Sequence, residues 1–169
     1  MMTNKEQMRT ALRRYTIPHL QKLGFTGRYP HFHREQEGCI DLLSFQTNSY
    51  GGSFTVEVSA VFPEHAESNR IHWEGEPEEL NVFATNRRYR LPGMYNGWFH
   101  YQDIYCRRFL FSTEYLAVPE RKADSFVPAK GFRLFRKFDA AQAEQVCLEI
   151  NRQLEGAWQW LEAFKKEHA

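Results

Sequence analysis

The sequence predicts an α+β fold in which a single antiparallel sheet, a meander, carries the N- and C-terminal helices packed on one face. Three patterns support this prediction: two strand-like runs at residues 41–62, a long apolar stripe near the C-terminus, and a capped helix near the N-terminus. A sheet with one apolar face needs a covering layer, and two helices can supply it. The 169 residues suit one domain, residues 1–169, whose core needs neither disulfide nor metal.

The two strands of residues 41–62 are the most informative part of the chain. Asn48-Ser-Tyr-Gly-Gly52 joins them, and its glycines provide the positive φ angles of a hairpin turn. Apolar and polar residues alternate along the second strand, which is typical of an antiparallel strand with one face in a core and one in water. The apolar set is Phe54, Val56, Val58, Ala60 and Phe62, and the polar set is Thr55, Glu57 and Ser59.

The C-terminal segment predicts a long amphipathic helix. Asp139 is a suitable N-cap, and Gln142 stands three residues later. The apolar residues that follow recur at helical spacing and form one stripe that can cover the sheet. They are Ala143, Val146, Cys147, Ile150, Leu154, Ala157, Trp158, Leu161 and Phe164.

The N-terminal segment predicts a helix with an interruption. Thr3 and Glu6 have the spacing of a capping box. Pro18 lacks a backbone donor and clashes with the preceding turn, so we expect a kink or a new helical start there. Gly24 suits the position after the helix, and Phe25 can then fold back on Leu20.

The remaining segments are less periodic. A strand is expected to begin after Pro30, and two more are expected at residues 104–112 and 131–138. Residues 63–77 are acidic and suggest a surface excursion, whereas residues 78–82 fit a short helix or a strand equally well. Turn signals follow at Pro92-Gly93 and Asn96-Gly97.

Composition limits the classes of partner and location. The formal charge of +1 is too small to attract the whole protein to nucleic acid or anionic lipid, so neither nucleic acid nor a membrane is the expected partner. The three cysteines are odd in number and far apart, which favours reduced thiols in a cytoplasmic protein. The N-terminus has no apolar stretch typical of a signal peptide, and no run has the length of a membrane span.

A series of short motifs lies within residues 20–62: Leu23-Gly24-Phe25, Phe32 with Arg34, Phe45-Gln46 with Ser49, and Gly52-Ser53-Phe54-Thr55-Val56. The order of these motifs resembles a bacterial family of uncharacterised domains (domain of unknown function). The resemblance implies no activity, no cofactor and no catalytic residues. Some members look like companions of secreted toxin systems, which implies an immunity or partner-binding role.

Residues 87–101 are the leading binding candidate. Their aromatic rings around an Asn-Gly turn exceed what a turn needs, and Trp, Tyr and Arg dominate the energetics of protein interfaces. A loop that folds back into the core is the alternative interpretation. The candidate partner-binding residues are Arg88, Arg90, Tyr95, Trp98, Phe99 and Tyr101.

The polar face of the sheet is the second candidate, through His31, His33, Gln46, Thr55 and Glu57. The two histidines share one side of a strand, and a third ligand would make a zinc site for a small metal-assisted hydrolase. Asp41, Glu57 and His72 could supply that ligand. Two histidines on a solvated face are the simpler interpretation, so no metal and no cofactor are expected.

Arginine and aromatic residues also cluster along several strands, as at residues 107–109 and 133–137. Such a sheet face could bind single-stranded nucleic acid by stacking bases and holding phosphates. Outward charge over a buried face explains the same pattern. No nucleophile motif or phosphate-binding loop is present. The leading hypothesis is therefore a non-enzymatic domain that binds another protein.

Overall fold

A computed structural model describes residues 1–63, 79–122 and 125–168 of the chain. The expected excursion at residues 63–77 lies, apart from Pro63, outside the described residues. The described part contains two antiparallel sheets, an N-terminal helical arm and a long C-terminal helix. It is therefore α+β, but the prediction of a single sheet is wrong.

The N-terminal arm consists of α1 (Asn4–Ala11), a π-helical turn (Leu12–Thr16) and α2 (Ile17–Lys22). The predicted capping box is present: the Glu6 amide donates to Thr3 Oγ1 at 3.2 Å, and the Thr3 amide donates to Glu6 Oε2 at 2.7 Å. Pro18 lies in the first turn of α2, directly after the π-helical turn, and the backbone at Thr16 and Ile17 stays helical. The expected interruption therefore takes the form of a π turn within a continuous helical segment rather than a new helical start.

The arm ends in the expected Schellman motif. Gly24 has a φ of +88°, and its amide donates to the Gln21 carbonyl, while the Phe25 amide donates to the Leu20 carbonyl at 3.1 Å. The chain then turns into the large sheet, and the strand expected after Pro30 begins at His31.

The large sheet has six antiparallel strands in the order β1-β2-β3-β4-β5, with β6 also paired to β4. The hairpin predicted at residues 41–62 forms its centre as β3 and β4. The strands are β1 (Thr26–Arg28), β2 (His31–Gln36), β3 (Cys39–Thr47), β4 (Ser53–Val61), β5 (Tyr89–Arg90) and β6 (Phe99–His100).

The core lies between one face of this sheet and the helices, as predicted. The C-terminal helix α3 (Ala140–His168) begins after Asp139, whose Oδ1 accepts from the Gln142 amide at 2.9 Å. Its apolar stripe is buried in one cluster with the apolar face of β4 and with Met8, Leu12 and Leu20 of the N-terminal arm. Trp158, at the edge of the stripe, is partly buried.

At β4 the other face of the large sheet is also buried, which corrects the expectation of a solvated face there. Thr55 and Ser59 are 0% exposed and Glu57 is 5% exposed. A second apolar cluster, formed by Leu42 and Val61 with Leu80, Val82 and Ala84, covers part of this face. Helix and strand fitted residues 78–82 equally; Glu78 lies outside the described residues, and Val82 begins a 3-10 turn at Val82–Ala84.

A second sheet has three antiparallel strands in the order β8-β7-β9. The strands are β7 (Ile104–Arg108), β8 (Thr113–Ala117) and β9 (Arg133–Arg136). The elements predicted at residues 104–112 and 131–138 are thus present but shorter, and they pair with each other rather than with the large sheet. Strand β8 was not predicted.

Candidate partner-binding surface

The leading candidate segment forms a tight turn on the protein surface. Tyr95 and Trp98 form a bridge around Asn96 and Gly97, whose φ angles are +49° and +81°. Tyr95 is 70% exposed, whereas Trp98 is half-buried with the Arg90 guanidinium over its ring at 5.9 Å. One exposed ring is a small surface for a partner.

Two of the aromatic candidates lie in the core. Phe99 is 0% exposed and stacks on Phe54 with ring centroids 5.6 Å apart, and Tyr101 is 4% exposed. Burial and the neighbouring Glu120 carboxylate raise the pKa of Tyr101 to about 12, and its hydroxyl donates to Glu120 Oε2 at 3.2 Å. These rings are therefore packing residues, as the alternative interpretation of the segment expected.

Arg88 and Arg90 reach the polar face of the sheet, where they meet the second set of candidates. Arg90 lies opposite Glu57 across the β4–β5 pair, and its Nη2 is 2.7 Å from Glu57 Oε1. Arg88 Nη1 is 3.4 Å from Oε2 of the same carboxylate. Glu57 in turn lies opposite Ser44, whose Oγ is 2.8 Å from His31 Nδ1. Four strands thus contribute to one polar row.

This row is built as a structural network. The Glu57 carboxylate is nearly buried and needs the two guanidinium groups that compensate its charge. Burial lowers the pKa of His31, which favours the neutral imidazole beside Ser44. Thr55 is fully buried in the same sheet, and Gln46 is exposed near its end.

The histidine pair does not come together with a third ligand in the described part of the chain. His33 Nε2 is 3.2 Å from Thr26 Oγ1, so each imidazole contacts a hydroxyl group. Asp41 belongs to the other face of the sheet, where Arg34 and Lys165 contact it. No group of three metal-ligating side chains occurs among the described residues, and His72 lies outside them.

The exposed apolar surface lies instead at the tip of the β7–β8 hairpin. Residues 109–112 form the turn, closed by the Phe109 amide and the Ser112 carbonyl at 2.8 Å. Phe109, Leu110 and Phe111 are 53%, 94% and 99% exposed. Consecutive exposed apolar residues of this size mark interaction sites in soluble proteins.

The second sheet extends this surface. Tyr115 and Phe135 are each more than half exposed and pack edge to face at 5.4 Å, and Leu134 of β9 is also exposed. Arg107 lies between the rings of Phe109 and Phe132, with its guanidinium 5.0 and 4.8 Å from their centroids. We call the β7–β8 tip and strands β7–β9 the hairpin surface.

The hairpin surface is strongly basic. Its residues, 104–117 and 133–136, contain four Arg and one Glu, a net charge of +3. An acidic partner would be attracted to this end of the molecule.

A family model described as a domain of unknown function (DUF4304) matches residues 16–163 of the chain. The chain belongs to this family. The match extends well beyond the resemblance at residues 20–62, since it includes the second sheet and most of α3. No curated protein and no solved structure matches the chain.

Membership of the DUF4304 family supplies no activity for the chain. Sequence reasoning missed the hairpin tip because residues 104–112 were interpreted as one continuous strand. The signal was the run Phe109-Leu110-Phe111, where three apolar residues in succession break the alternation. In the described part of the chain, no helix has the length and hydropathy of a membrane span.

Proposed function

We propose that the domain is a non-enzymatic protein-binding module whose hairpin surface contacts an acidic segment of another protein. The observation that carries this proposal is the exposure of three consecutive apolar residues, Phe109, Leu110 and Phe111, at the hairpin tip. Water contact with such residues is unfavourable, and each Phe or Leu side chain gains about 1.5–3 kcal/mol when a partner buries it.

The charge of the surface supports an acidic partner. Arg108 is exposed beside the tip, and Arg133 is exposed on β9. Arg is enriched in protein interfaces, where its guanidinium both stacks on rings and pairs with carboxylates. A second copy of this chain is disfavoured as the occupant, because two hairpin surfaces of net charge +3 would repel each other.

The backbone supports a protein rather than a nucleic acid or a lipid. Strands β8 and β9 each pair with β7 alone among the described strands, so each has an outer edge of backbone donors and acceptors. A peptide strand can pair with such an edge. Leu110 and Leu134 also suit an apolar protein pocket better than the stacking of bases.

The partner can be found by photo-crosslinking from position 111 in cells that produce the protein. Tyr50 is the matched control position, because it is 77% exposed in the β3–β4 turn, outside the hairpin surface. A protein crosslinked from position 111 but not from position 50 is then purified, and the binary complex is reconstituted. This order separates a specific partner from proteins that adhere to any exposed ring.

In the reconstituted complex, L110S/F111S is expected to weaken the dissociation constant by at least about tenfold, because it removes the apolar anchors. Y50S is expected to leave it unchanged. Calorimetric titration measures both constants. Equal weakening by the two variants would contradict the assignment of the surface.

Two further experiments test whether the hairpin surface binds a lipid surface or a nucleic acid instead of a protein. Binding of the wild type to anionic vesicles or to a single-stranded oligonucleotide, lost in L110S/F111S, would replace the protein partner with a lipid surface or a nucleic acid. The toxin-immunity-like role and the cytoplasmic location stay predictions. The metal-assisted hydrolase has no supporting observation among the described residues.

A further inference from the structure

A cleft separates the N-terminal helical arm from the turn between β1 and β2. Its volume is about 530 Å³, within the range of small-molecule sites. Arg9 and Arg13 line it from the arm, and Arg28 lines it from the end of β1. This cleft is separate from the hairpin surface and shares no residue with it.

The three arginines of the cleft lack anionic partners among the described residues. All three are exposed, and none has a carboxylate within ion-pair distance in the described part of the chain. Three like charges around one cleft repel one another unless an anion lies between them. The arrangement therefore favours a bound anion, and guanidinium groups match the oxygens of phosphate in a bidentate geometry.

The floor of the cleft is apolar. Leu12 and Phe32 are nearly buried beneath it, and Ile17 and Tyr29 are partly buried beside it. A free inorganic anion would leave this floor in contact with water. A ligand with an apolar or aromatic part would cover it and gain the hydrophobic contribution.

The π-helical turn at Leu12–Thr16 keeps a row of side chains of the N-terminal arm on the side of the cleft. Arg9, Arg13, Ile17 and Gln21 all line the cleft at intervals of four residues. In a straight α-helix of 3.6 residues per turn, side chains four residues apart do not lie directly above one another, so such a row gradually turns away from one side of the helix. The π turn holds more residues per turn and offsets this drift, and π turns occur frequently at functional sites.

We propose that this cleft binds a small phosphate ester: the phosphate lies between Arg9, Arg13 and Arg28, and its apolar or aromatic group lies on the floor. The proposal is independent of the hairpin surface, so either can fail alone. AMP and phenyl phosphate serve as probes, with adenosine and inorganic phosphate as the two partial ligands.

Calorimetric titration of the full chain is expected to show binding of AMP or phenyl phosphate at up to millimolar concentration, and weaker binding of inorganic phosphate and adenosine. R13Q is expected to weaken the dissociation constant of the bound ester by about tenfold or more, because it removes one of three guanidinium contacts. Arg13 is exposed, so the thermal unfolding midpoint of R13Q should match that of the wild type.

Arg14 provides the matched control. It belongs to the same π turn and carries the same charge, but its guanidinium lies over the Tyr15 ring and it does not line the cleft. R14Q is expected to bind the ester as the wild type does. Equal losses in R13Q and R14Q would show general charge attraction and overturn the proposal, as would the failure of both esters to bind.

Discussion

The substitution F99A is expected to lower the free energy of unfolding by about 3–5 kcal/mol, the typical cost of removing a buried phenylalanine ring. Phe99 is fully buried on β6, where its ring stacks on Phe54. Truncation to alanine loses the apolar contact area and leaves a cavity that the surrounding strands can only partly fill. Urea denaturation monitored by circular dichroism measures the change.

Tyr95 is the control in the same segment. It is 70% exposed, so Y95A should change the free energy of unfolding by no more than about 0.5 kcal/mol. A result in which F99A is as mild as Y95A would mean that the ring lies on the surface. That outcome would return Phe99 to the candidate contact residues and would undermine the packing of the core at β6.

The substitution D41N is expected to destabilise the fold by about 3 kcal/mol, because it removes the charge of a buried carboxylate and leaves two cations without their partner. Asp41 is 0% exposed on β3. Arg34 Nη2 lies 2.7 Å from its Oδ2, and Lys165 Nζ of α3 lies 2.8 Å from its Oδ1. The carboxylate thus joins β2, β3 and α3 in one ion network.

Glu162 offers the matched control, because it pairs with the same Lys165 at 3.3 Å but its side chain is 63% exposed. E162Q should cost no more than about 0.5 kcal/mol, since exposed ion pairs contribute little. Chemical denaturation of both variants under identical conditions provides the comparison. Similar small losses in D41N and E162Q would mean that the Asp41 network is not needed to hold α3 on the sheet.

The elements that sequence predicted well are those with a strong period of apolar residues that face one core. The Val146–Phe164 stripe of α3 and the apolar set of β4 could each be assigned because both pack in the same cluster. The second sheet lacks this property. Leu134 and Phe135 are successive residues of β9, and both are about half exposed, so no one-sided alternation indicated how β7, β8 and β9 pair.

The candidate site was harder to predict because its contacts join distant parts of the chain. Glu57 and Arg90 are 33 residues apart, and only the pairing of β4 with β5 places them side by side. Thr55 and Ser59 are likewise fully buried although they lie on the polar side of β4, where Leu80 and Val82 belong to a second apolar layer. Local alternation contains no information about such a layer.

Hydrogen exchange of the reconstituted complex tests the central claim most directly, because it reports which backbone amides the partner covers. Peptides that span residues 104–117 are expected to exchange more slowly in the complex than in the free protein. Peptides that span the β3–β4 turn at residues 48–52 are expected to exchange at the same rate in both. Slower exchange at residues 48–52 with no change at 104–117 would contradict the hairpin surface as the binding site.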